Sequence, residues 1–260
     1  MSTPGAAASW HPGPMWSRVA SILAVLLLWH GVATLTATKI LPPPAEVLTF
    51  ITREMREGDM LIHLGATLSR VAASFCLAMT LGATLGVALG RRPRLDRALD
   101  VWLVLVLNTP ALVITVLCYL WLGLTEVAAI AAVTLNKLPN VAVILREGAR
   151  SLDPMLDEVS VAYRFSSATW LWHVALPQLE PYMIAAARSG LALVWKIVLV
   201  VELLGRPNGV GYAISYYFQL FDVRAILGYS LAFSIVMLTI DVLVMQPLDA
   251  HARRWRLNTV

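Results

Sequence analysis

The chain has 260 residues, 58% of them hydrophobic and only 14% charged, with a mean hydropathy of +0.72 and a net charge of +4. A soluble domain carries about 25% charged residues, so the deficit argues for lipid as solvent. No run of like charges or low-complexity tract suggests a nucleic-acid partner, and Cys76 and Cys118 lie inside apolar runs, where they read as small core residues and not as a disulfide or metal site.

A membrane helix needs about 20 mostly apolar residues. The first candidate, 19–38, has His30 as its only titratable group. It is long for a signal peptide and no small-x-small site precedes Lys39, so it is expected to remain as a span. Pro42, Pro43 and Pro44 end it rigidly. The polar segment that follows places Val47, Phe50, Ile51 and Met55 near one helical stripe, which predicts a helix lying along the outer surface and not a crossing.

The second span, 71–90, carries Gly82, Gly86 and Gly90 at four-residue intervals, a face that lets helices approach closely, within the chain or between subunits. The third, 101–125, contains Asn108-Thr109-Pro110, and the fourth, 127–145, contains Asn136, Lys137 and Pro139. Proline removes a backbone donor and kinks a helix, so kinks are expected in both. They suit a bundle that opens and closes, or ordinary bends. The fifth span, 182–204, holds Arg188, Lys196 and Glu202, and the sixth, 225–245, holds Asp241. Between these two, "GRPNGVGY" (205–212) reads as an external turn, a simple reversal or a contact for an outside protein.

Basic residues orient the bundle. Arg91, Arg92, Arg94 and Arg97 follow the second span, Arg146, Arg150 and Arg164 follow the fourth, and Arg253, Arg254 and Arg256 end the chain. All fall on one side if there are six spans, so both termini and the 151–177 segment are expected in the cytoplasm. The chain reads as one integral membrane domain, 1–260.

The 151–177 segment is too polar to cross, yet it is patterned. Asp153-Pro154 is a helix start, and Asp157 and Glu158 suit the positive end of the helix dipole. Leu156, Val159 and Tyr163 give this helix an apolar side. The pattern breaks at 164–167, Ser167 can cap a second short helix with Trp170, Val174 and Pro177 on one face, and Pro177 is expected to end it. Exposed apolar and aromatic side chains of this kind mark a partner surface. The competing reading is an interfacial helix resting on lipid headgroups.

These residues carry a resemblance. Glu158, the turn six residues later and Leu176-Pro177 resemble the cytoplasmic "EAA" loop of ABC-importer permeases. "ILPPPAEVL", "HLGATLSRVAASF", "NTPALVITVLCYLWLGL" and "LVWKIVLVVELLGRPNGVGYAI" are similar, in order, to signatures of the nitrate/sulfonate/taurine branch, over roughly residues 40–250. Val159 and Ser160 stand where that family has alanines, and Arg164 where most members have glycine. Glycine accepts a positive φ freely, so Arg164 must strain or turn differently.

The resemblance implies an all-α bundle of six transmembrane helices, of the type I ABC-importer class, with cytoplasmic coupling helices, in a bacterial inner membrane. It implies that the loop docks on a separate ABC ATPase, with Glu158 at the contact, Tyr163, Trp170 and Leu176 as packing anchors, and Arg164 and Pro177 shaping the turns. The chain has no GxxxxGK[ST], so no enzyme activity or cofactor is expected in it; ATP and Mg would bind the partner. The other implied partners are a second permease copy, an external solute-binding protein and membrane lipid.

Charged and polar groups inside spans are functional candidates. Asn108, Asn136, Lys137, Arg188 and Lys196 are therefore candidates for a path suited to an oxyanion such as a sulfonate, taurine or nitrate. Alternatively Lys137 or Lys196 pairs with Glu202 or Asp241, and Arg188 snorkels to the interface. An intramembrane enzyme would need a motif such as HExxH or GxSxG, which the spans lack. An ion-coupled carrier using buried Lys and Asp would have no use for an aromatic helix pair outside the membrane.

Overall fold

The computed structural model describes residues 15–36 and 40–248, and among them every regular element is helical. In chain order these are α1 (Met15–Thr36), α2 (Pro44–Glu57), α3 (Met60–Arg91), α4 (Pro93–Asn108), α5 (Ala111–Leu122) and α6 (Glu126–Arg150). Next come α7 (Pro154–Ala162) and α8 (Ser167–Trp170), then a π turn (Leu171–Ala175) leading into α9 (Leu176–Gly205). α10 (Val210–Gln219), α11 (Val223–Ile240) and a second π turn (Asp241–Met245) complete the described chain. Five stretches are long and apolar enough to cross a membrane, and α4 with α5 makes a sixth if that bent pair is one span.

The centre is α3 against α6. Gly82, Gly86 and Gly90 all face α6: a Cβ at Gly82 would lie 2.6 Å from Val141 Cβ, and one at Gly90 2.6 Å from Ala149 Cβ. Of the two uses open to that stripe, close packing within the chain is the one it serves. α9 closes on the other side of α6, where Gly148 accommodates the Tyr182 ring and Gly190 the Lys137 side chain. The expected surface helix exists as α2, but its stripe faces protein. Val47, Phe50 and Ile51 are buried against α11 around Gly228 and Tyr229, while Met55 is off the stripe and exposed.

At α3 and at α4–α5 the spans depart from expectation, each for a local reason. α3 begins eleven residues before the expected start at 71, because His63, Thr67 and Arg70 all find hydrogen-bond partners inside the protein. The 101–125 span is not a kinked rod. It breaks by 99° between α4 and α5, where Thr109 and Pro110 are extended and Pro110 opens the next helix. Pro139 lies within α6, which runs unbroken to Arg150.

α3 and α6 end, and α9 begins, at the end of the bundle that carries α7. There α4 is held to α6 by Arg146, which bonds Asp100 at 2.6 Å and Asp96 at 3.1 Å, and by Arg150, at 2.5 Å from Asp96. α1 stands at the periphery, tied to the chain before α2 by a 3.1 Å bond from Trp29 Nε1 to the Pro42 carbonyl.

Candidate functional site

The 151–177 segment folds as its start signals dictate. Asp153 accepts the Met155 N–H at 2.9 Å and Pro154 occupies the first turn of α7. The segment is fastened to α9: Gln178 Oε1 accepts the Asp153 N–H at 2.9 Å, and Ser151 donates to the Tyr182 hydroxyl at 2.9 Å. α7 ends in a Schellman turn, with the Phe165 N–H on the Ser160 carbonyl and the Arg164 N–H on the Val161 carbonyl. Arg164 supplies the left-handed residue of this motif, with φ of 51°. Of the two outcomes open to it, strain is the one realised, at a cost of about 1–2 kcal/mol for a residue with a Cβ.

After the turn, Ser166 and not Ser167 caps α8, taking the Thr169 N–H at 3.1 Å, because Ser166 is the last extended residue. The expected break at Pro177 does not occur. The chain widens into a π turn just before Pro177, with the Leu176 N–H reaching the Leu171 carbonyl, and continues as α9. The second short helix is therefore the leading end of a 39-residue helical run, Ser167–Gly205.

Asp157 ties these pieces together. It accepts Trp170 Nε1 at 2.8 Å and pairs with Arg91, whose guanidinium lies 4.8 Å above the Trp170 ring. Burial pushes the Asp157 carboxyl up, but the bonds from Arg91 and Trp170 outweigh it and hold its pKa below the ordinary value. Trp170 consequently faces inward and is half-buried, as is Leu176, and Val174 is buried. The outward surface is α7 and its turn: Met155, Val159, Val161 and Tyr163 are exposed, Tyr163 by 76%, alongside Glu158, Arg164 and, across the turn, Pro177.

The intramembrane candidates do not converge on one place. Asn108 is exposed at the α4–α5 break and bonds its own helix at the Val104 carbonyl, and Asn136 bonds the Ala132 carbonyl. Lys137 is 1% exposed, with Asn140 Oδ1 at 2.5 Å and Ser189 Oγ at 3.5 Å. Arg188 and Lys196 are exposed on α9, eight residues apart and so on one helical face. Neither lysine pairs with Glu202 or Asp241. Glu202 belongs instead to a cluster at the opposite end of the bundle from α7.

There Arg70 bonds Glu202 at 2.7 Å, Glu126 at 2.6 Å and 2.8 Å, the Asn208 carbonyl at 2.9 Å and the Asn208 side chain. Glu202 also takes Thr67 Oγ1 and the Gly211 N–H, each at 2.9 Å, while Arg206 reaches Glu126 and the Leu124 carbonyl. Gly209 sits at φ of 110° with its N–H on His63 Nδ1. The glycine-rich loop is thus pinned from within. No local sequence signal links Arg70, the eleventh residue of α3, with Glu202 near the end of α9.

Residues 78–257 match the profile of the binding-protein-dependent transport system inner membrane component. The chain belongs to this family. A Bacillus subtilis protein named as an aliphatic sulfonates transport permease is 28% identical over 91% of this chain and 85% of its own. The taurine transport system permease protein of Escherichia coli is 29% identical over 74% of this chain and 73% of its own. The nitrate import permease protein of a Synechocystis species is 24% identical over 77% and 76%. In a crystal structure of an amino acid ABC transporter with histidines, one chain shares the fold, with a TM-score of 0.55 and 18% identity over 75% of this chain and 93% of that one.

The protein is accordingly the permease subunit of an ABC importer, a multi-pass inner-membrane transport component whose partners include an ATPase and a binding protein. ATP hydrolysis resides in the separate ATPase subunit, and the ion-coupled carrier reading falls.

Proposed function

We propose that this permease imports a small oxyanion of the sulfonate, taurine or nitrate class. An external binding protein delivers it, two copies of the chain enclose the path, and both termini lie in the cytoplasm. The observation that carries the solute class is Lys196, exposed midway along α9 on the same face as Arg188. A charge at that depth is expensive against lipid and borders a water-filled path instead. The relatives named for sulfonates, taurine, nitrate and bicarbonate support the same solute chemistry.

The exposed side of α7 is the ATPase docking surface in this reading, with Glu158 at the contact, Tyr163 beside it, Arg164 and Pro177 shaping the turns, and Trp170 and Leu176 holding the surface in position. ATP and Mg bind the partner. Because α8, the π turn and α9 are continuous, displacement of the docked end moves the helix that bears Arg188 and Lys196. From Trp170 to Lys196 is about 39 Å at 1.5 Å per residue, long enough to carry motion from outside the membrane to its interior. Lys137, Asn136 and Asn108 are further from this role: Lys137 is enclosed within one subunit, and both amides are engaged with their own helices.

The test is transport in proteoliposomes containing the permease, its ATPase and its binding protein. Glu158→Lys is expected to lower binding-protein-stimulated ATP hydrolysis about tenfold, the loss of roughly 1.4 kcal/mol of contact, with normal membrane insertion. Unchanged stimulation rules out the docking role. Lys196→Met is expected to impair uptake of the anionic solute while stimulated hydrolysis persists; normal uptake leaves Lys196 outside the path.

A further inference from the structure

We infer that the groove between α3, α7 and α9 is a binding site for an anionic phospholipid. It is a cavity of about 1100 Å³, walled by the second half of α3, the turn after α7 and the start of α9. Its deep part is apolar: Met79, Ala83 and Val87 from α3 face Leu179 and Met183 from α9. Thr80 and Thr84 also line it, but their hydroxyls bond the Cys76 and Thr80 carbonyls of their own helix, at 2.8 Å and 2.9 Å, and leave the groove without free donors there.

The mouth is cationic. Arg91, Arg92 and Arg164 stand there against one carboxylate, Asp157, which Arg91 already neutralises. Arg92 and Arg164 are exposed and have no ion-pair partner among the described residues. Arg164 is placed at the mouth by a backbone conformation that glycine would adopt without strain. A strained residue with a long cationic side chain directs attention to what the side chain meets.

Depth selects the occupant. From Arg91 to Met79 the groove runs about 18 Å along α3, farther into the apolar layer than a water-soluble ATPase reaches. A second copy offers α1 as its least packed helix, with 6% of its apolar window buried. That helix brings no counter-charge, since Met15–Thr36 holds no aspartate or glutamate. An anionic phospholipid supplies both parts: a phosphodiester for Arg92 and Arg164, and an acyl chain for the wall of Met79, Val87 and Met183. Basic pockets between helices on a cytoplasmic face bind such headgroups. The inference rests on the proposed orientation only for which leaflet supplies the lipid, and its test does not use transport.

The test is native mass spectrometry of the full-length permease in detergent, titrated with dioleoyl phosphatidylglycerol or dioleoyl phosphatidylcholine. Phosphatidylglycerol is expected to bind about tenfold more tightly, with inorganic phosphate failing to displace it. Arg92→Gln with Arg164→Gly should remove that preference, while Arg56→Gln at the far end keeps it. The Arg164→Gly change relaxes the turn, so retained folding is expected. Equal binding of the two lipids, a preference surviving in the double variant, or displacement by phosphate each overturns the inference. Cross-linking between copies through Thr84→Cys in a phosphatidylglycerol bilayer would also overturn it, by assigning the groove to a second subunit.

Discussion

The two ends of this bundle treat charge in opposite ways. At the far end, Arg70 and Glu202 are buried and bonded to each other, to Thr67, to Asn208 and to the Gly211 backbone. At the α7 end, Arg146 and Arg150 tie α4 to α6 through Asp96 and Asp100. But α7 itself is braced by one half-exposed tie, Arg91–Asp157–Trp170, beneath a surface whose aromatic and apolar side chains are left open. The difference teaches where the chain is complete by itself. Charges that meet inside the fold lock the glycine-rich loop to α3, whereas Glu158 and Arg164 on α7 and its turn are left exposed.

The largest effect that tests this contrast lies at the far end. Glu202→Ala strips Arg70 of its buried partner and orphans the Gly211 N–H, while the Thr67 hydroxyl keeps the His63 carbonyl and the Val210 N–H. Breaking a buried pair from one side costs about 3–5 kcal/mol, so the apparent unfolding temperature in detergent should drop sharply. Glu126→Ala touches the same arginine, but the Glu126 side chain is 48% exposed, and the expected loss is about 1 kcal/mol. Equal losses would mean that burial does not govern this cluster.

A smaller effect belongs to Asp157. Its pKa is lowered in the folded protein, so its contribution is complete above the ordinary value of 3.8 and is lost as pH falls through the folded value. With both partners partly exposed, the tie is worth about 1 kcal/mol or less. Limited proteolysis across 151–177 should therefore accelerate as pH falls below about 4, and Asp157→Asn should show the faster rate already at neutral pH. A rate that does not change in Asp157→Asn would remove Asp157 as the brace.

How much of this was legible beforehand follows from what each feature depends on. The apolar spans, the Asp153-Pro154 helix start and the steric conflict at Arg164 are local, and adjacent residues announce them. The right-angle break after Asn108 and the unbroken α6 both involve a proline, and only packing decides which proline interrupts its helix. Trp170 was grouped with outward residues by helical spacing, yet Asp157, thirteen residues away across the turn, draws it inward. The Arg70–Glu202 pair joins residues 132 apart in sequence. Helical periodicity holds no record of such a meeting.

The smallest effect has the opposite sign and separates backbone from side chain at the turn. Arg164→Gly relieves the left-handed strain, about 1–2 kcal/mol, but glycine gives back about 0.4–1 kcal/mol through the entropy of the unfolded chain. The balance is a gain of roughly 1 kcal/mol or less, read as a slightly raised unfolding temperature. Arg164→Ala keeps the Cβ and the strain, so it should show no such gain. If alanine stabilises as much as glycine, the guanidinium and not the backbone is the source of instability at this turn. If glycine alone stabilises, the arginine is kept there against the preference of its own backbone, and its side chain is what the turn exists to present.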